Sequence, residues 1–67
     1  MEFTEIELLE AKRQIDSTLH KLVETVKTLE GKEKPDRYKS QITLAKRRID
    51  AFWIAVALIE RELESLK

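Results

Sequence analysis

Ala51-Phe52-Trp53-Ile54-Ala55-Val56-Ala57-Leu58-Ile59 is an unbroken run of nine apolar residues in a chain whose residues are 39% charged. Extended in both directions, the run resolves into a seven-residue repeat. Ile42, Ile49, Val56 and Leu63 occupy one position, and Ala45, Phe52, Ile59 and Leu66 the position three further on. A repeat sustained in this way predicts a helix packed lengthwise on another helix. Leu44, Ala51, Ile54 and Leu58 fall off that seam. At about 100° per residue they lie on the side opposite Ile49 and Val56. A helix with one apolar stripe needs one partner, whereas a helix apolar all round must be covered on several sides. The run therefore predicts a helix with more than one neighbour.

A membrane span would need about 20 apolar residues. Here Arg47 and Arg48 precede the run, and Glu60 and Arg61 close it. The segment reads as a buried helix of a soluble protein, with no membrane partner.

Outward from the run, the chain holds one glycine and one proline, both within Gly31-Lys32-Glu33-Lys34-Pro35. A sheet with several turns would need more of both. The expected fold is all-α: an antiparallel two-helix hairpin with long helices at about 5–30 and 36–66, joined by a turn at 31–35. Residues 1–67 form a single domain. The first helix has a local start signal. Thr4 and Glu7 have the spacing of a capping box, and Phe3 and Leu8 that of a hydrophobic staple. Glu2, Glu5, Glu7 and Glu10 suit the positive end of the helix dipole.

Leu8, Ile15, Leu22 and Leu29 then recur at seven, with Leu19 and Val26 as companions. Leu9 and Val23 widen the stripe, and Ala11, Thr18 and Thr25 flank it with small groups. Lys12 interrupts the seam. Either its stem lies on the core with the ammonium in water, or it is a polar residue that sets register. Gly31 stands where a left-handed residue ends a helix. Pro35 suits a first helical position with Asp36 behind it. Folding the chain about residues 33 and 34 brings Leu29 near Tyr38, Leu22 near Ala45, Ile15 near Phe52 and Leu8 near Ile59.

A chain of this size is marginal without a staple. It has no cysteine and one histidine, so disulfides and cysteine–histidine zinc sites are excluded. Oligomerisation is the staple left. The absence of cysteine suits a reducing cytoplasm, and the acidic N-terminus without an apolar core does not read as a signal peptide. Two hairpins pairing into a four-helix bundle close the architecture, as a homodimer or a higher homo-oligomer. The expected self-association interface is Leu44, Ala51, Trp53, Ile54 and Leu58, with the Trp53 ring buried at the junction. An architecture of this kind is similar to that of the plasmid copy-number regulator Rop, a dimer of helical hairpins that binds RNA. The likeness is one of size and helix count and carries no residues across.

Chemistry is sparse. His20 stands alone, with Glu24 one turn on as its expected neighbour. Glu60, Glu62 and Glu64 alternate around the helix and do not converge. No Glu-x-x-His pair, glycine-rich phosphate loop or nucleophile signature is present. The reading is a non-enzyme with no cofactor, metal or small-molecule substrate, acting as a protein-binding accessory or regulatory module. Net charge is zero, which gives no global pull towards nucleic acid. Residues 32–48 nevertheless carry seven cations against two carboxylates, a net of +5, while 1–31 total −3 and 49–67 total −2. A second reading is therefore a nucleic-acid-binding regulator that contacts phosphates through Arg37, Lys39, Lys46, Arg47 and Arg48.

Overall fold

The computed structural model describes residues 2–67. Two helices, α1 (Glu5–Glu30) and α2 (Lys39–Ser65), lie antiparallel, joined by a turn at 31–34 and a short 3-10 helix, Pro35–Tyr38. The hairpin measures 49 × 16 × 15 Å, two helices side by side with nothing stacked on them.

The start of α1 is the capping box that its residues imply. The Glu7 N–H donates to Thr4 Oγ1 at 3.1 Å, and the Thr4 N–H donates to Glu7 Oε1 at 2.9 Å. The Thr4 N–H and the Thr4 hydroxyl, which donates to the same Oε1 at 3.1 Å, hold the Glu7 carboxyl below the usual glutamate range. A carboxylate lowered in the folded state stabilises it above the ordinary glutamate pKa, and that contribution is lost as pH falls through the lowered value. Thr4→Ala is expected to cost about 1 kcal/mol. In an NMR titration it should also move Glu7 back towards the ordinary range. An unchanged Glu7 titration would mean that the box does not persist in solution.

The far end of α1 differs from expectation. Gly31 has φ −83° and ψ −2°, a right-handed conformation, and no described glycine has positive φ. The chain leaves α1 by tightening rather than reversing hand. The Gly31 N–H donates to Lys27 O at 3.1 Å and the Lys32 N–H to Leu29 O at 3.3 Å. What favours glycine is close approach, since a Cβ at 31 would sit 3.3 Å from Lys27 O.

The second α-helix, expected from residue 36, begins at Lys39 and is preceded by a separate 3-10 turn over Pro35–Tyr38. Residues 35–38 therefore belong partly to the connection. Leu9 and Lys12 share a depression with Glu60 and Leu63, and Lys46 Nζ reaches Glu30 Oε2 at 3.1 Å. The two seams are apposed, and Leu8 shares a depression with Ile59.

Burial follows the heptads. Leu8, Leu19, Val26, Ala45 and Val56 are buried, and Ile15, Leu22, Leu29, Ile42, Ile49, Phe52, Ile59 and Leu63 are half-buried. Lys12 takes the first of its two readings. Its side chain is half-covered in the seam, while Nζ reaches out to Asp16 at 2.9 Å, which raises its pKa.

Candidate functional site: the uncovered faces of the hairpin

Helix geometry sorts the rest of the surface into two flanks, one on each side of the seam. On the first lie Leu9, Lys12, Glu60 and Leu63. It also carries the Lys12–Asp16 pair and the interhelical Lys46–Glu30 pair. On the second, Phe3 reaches α2 to line a depression with Leu8, Leu58, Ile59 and Glu62. Phe3 thus covers the end of the seam as well as standing beside Leu8.

The second flank carries small and apolar groups, with the charged Arg48 and Glu62 among them. From Leu58, the seven-residue spacing leads back to Ala51 and Leu44 along α2, with the half-buried Ala55 beside them. Along α1 the same spacing sets out Ala11, Thr18 and Thr25. The two threonine hydroxyls do not need a partner from outside the helix. Thr18 Oγ1 donates to Gln14 O at 3.1 Å and Thr25 Oγ1 to Lys21 O at 2.9 Å. Those two hydroxyls are therefore not stranded if the face is covered, whereas Arg48 and Glu62, at the heptad position of Ala55, must keep their charged ends at its rim. Among the described residues no ion pair crosses this flank.

The five residues expected to form one interface do not share one side. Leu44, Ala51 and Leu58 align on the second flank, with Leu44 and Leu58 48% and 55% exposed. Ile54, 63% exposed, stands at its outer edge. Trp53 is about 100° from Ile54 around the helix and falls towards the first flank, 57% exposed. An assembly through the second flank leaves the indole wet. Emission of Trp53 is accordingly expected to be red and unchanged on dilution, whatever the mass of the particle. Blue emission from the concentrated protein would place Trp53 inside a contact.

The basic residues separate as well. Lys46, Arg47 and Arg48 are consecutive, so they point in directions about 100° apart. Lys46 is turned to Glu30. Arg37 lies instead at the turn, where it lines an open depression with Lys32, Lys34 and Tyr38. The five cations are thus not one track along the helix. His20 is exposed, and Glu24 approaches Lys27 at 3.7 Å rather than His20. Among the described residues no three potential metal ligands converge, and no helix is long and apolar enough to cross a membrane.

What the fold and its faces define is a class: a two-helix hairpin with one shared seam and large apolar side chains uncovered on both flanks, Leu44 and Leu58 on the second and Leu9 and Trp53 on the first. No family model, curated protein or solved structure matches the chain.

Proposed function

We propose that the chain is a non-catalytic association module of the cytoplasm: hairpins pair through the second flank into a four-helix bundle that serves as a protein-binding accessory. Surface area carries this reading. The hairpin exposes 5652 Å², against about 4,400 Å² expected of a folded monomer of its mass. The excess, roughly 1,200 Å² per chain, exceeds the ~800 Å² per partner of a standard protein interface. Shape agrees. The radius of gyration is 15.2 Å, where a compact domain of this length would have about 11 Å. Leu44, Ala51, Leu58, Ala11, Thr18 and Thr25 supply the apolar and small part of the surface to be covered. If folding and association are one event, the thermal midpoint must depend on concentration. Circular dichroism melts across a hundredfold dilution should therefore show a falling midpoint. A midpoint independent of concentration would overturn the reading.

A second reading rests on the depression at the turn, where Lys32, Lys34 and Arg37, with one carboxylate, Glu33, line it beside Tyr38. Cations beside an aromatic ring suit phosphate and a stacked base. Binding to structured RNA or duplex DNA would then weaken steeply with salt. Charge reversal at Lys34 and Arg37 would abolish it with helicity intact. No binding at low salt to either nucleic acid would remove this reading.

A further inference from the structure

The hairpin register gathers charge into halves that the linear order of the chain does not show. Cut across its middle, the hairpin has a turn half, Thr18–Ala51, and an open half holding both chain ends. The turn half carries nine cations and five carboxylates, a net of +4, and the open half eight carboxylates and four cations, a net of −4. The extremes are sharpest. Lys32, Lys34, Arg37 and Lys39 surround the turn, while Glu2, Glu5, Glu62 and Glu64 stand at the open end, all of them exposed.

We infer that the partner on the second flank is a second copy of this chain laid antiparallel, its basic turn over the acidic open end of its mate. This orientation rests on the self-association proposed above. A two-fold axis that reverses the helix direction packs α2 on its own copy and α1 on its own copy. Centred on Ala51, it sets Leu44 of each chain against Leu58 of the other. It also puts the smallest side chain of the stripe where the helices approach most closely. Along α1, Ala11 and Thr25 lie at equal spacing on either side of Thr18, so that face is likewise nearly symmetric about the hairpin's middle. A parallel pairing would stack +4 on +4 and −4 on −4, with like charges inside a Debye length of about 10 Å at moderate salt. The first flank is the poorer surface for a copy, because its ion pairs Lys12–Asp16 and Lys46–Glu30 would have to be desolvated or broken.

The chain contains no cysteine, so Lys34→Cys gives one attachment point for a spin label at the exposed turn. Electron–electron dipolar distances on that variant, with the mass taken by light scattering on the same sample, decide the question. Antiparallel copies put the two labels close to the 49 Å length of the hairpin apart. Parallel copies put them within about 20 Å, two helix diameters. A dimer with the short distance overturns the orientation and leaves self-association standing. A monomeric mass overturns both. Salt supplies an independent arm. Raising it from low to high should weaken an antiparallel dimer several-fold by screening facing opposite charges, and a dimer that tightens with salt would contradict the arrangement.

Discussion

Replacing Leu44 and Leu58 together by glutamate is expected to yield a monomer that has lost most of its helix. On a lone hairpin both residues are about half exposed, and exposed substitutions of this kind usually cost within about 0.5 kcal/mol. Within the proposed bundle each chain would instead bury two carboxylates, set against two more from its copy. Burying unpaired charge costs several kcal/mol, comparable with the roughly 5–15 kcal/mol that stabilises small proteins. The two pictures therefore differ by an order of magnitude for one variant. Ile6→Glu is the control, because Ile6 is 80% exposed and sits on the far side of α1. Circular dichroism should find the double variant largely unfolded and Ile6→Glu unchanged. A double variant that stays fully helical would show that the second flank is not a contact.

The second large effect belongs to the seam. Leu19 is 4% exposed, and Leu19→Ala should cost about 2–5 kcal/mol, lost transfer energy plus the cavity left behind. Only a handful of side chains are buried as deeply, so there is little else to compensate. Denaturant melts should show Leu19→Ala unfolded or nearly so at micromolar concentration. Leu9→Ala, at a residue 50% exposed, should lose under about 1 kcal/mol. Equal losses at the two positions would mean that the seam is not packed as described.

Much of this architecture can be read in the chain because its signals are local or periodic. The Thr4–Glu7 box involves four successive residues. The heptads from Ile42 to Leu63 and from Leu8 to Leu29 set which face of each helix is covered. The single Gly–Pro break places the turn. Features that depend on the third dimension were harder to read. Gly31 suggests a left-handed cap, yet a tightened last turn satisfies the Lys27 and Leu29 carbonyls without one. The 3-10 stretch at Pro35–Tyr38 delays the start of the second α-helix to Lys39.

The candidate interface was legible as residue types rather than as a face. Trp53 and Ile54 are adjacent in the chain, and that adjacency places them on different sides of a helix. Ala11, Thr18 and Thr25 recur at the same interval as Leu44, Ala51 and Leu58. That shared spacing was the available sign that the two sets belong together. The charge halves needed the hairpin register before they could be drawn at all.

The measurement closest to the central claim is the mass of the folded particle by sedimentation equilibrium at micromolar concentration, with helicity recorded on the same samples. Association through the second flank predicts at least twice the 7.9 kDa of one chain, with mass and helicity falling together on dilution. A fully helical species of 7.9 kDa at every concentration would contradict it.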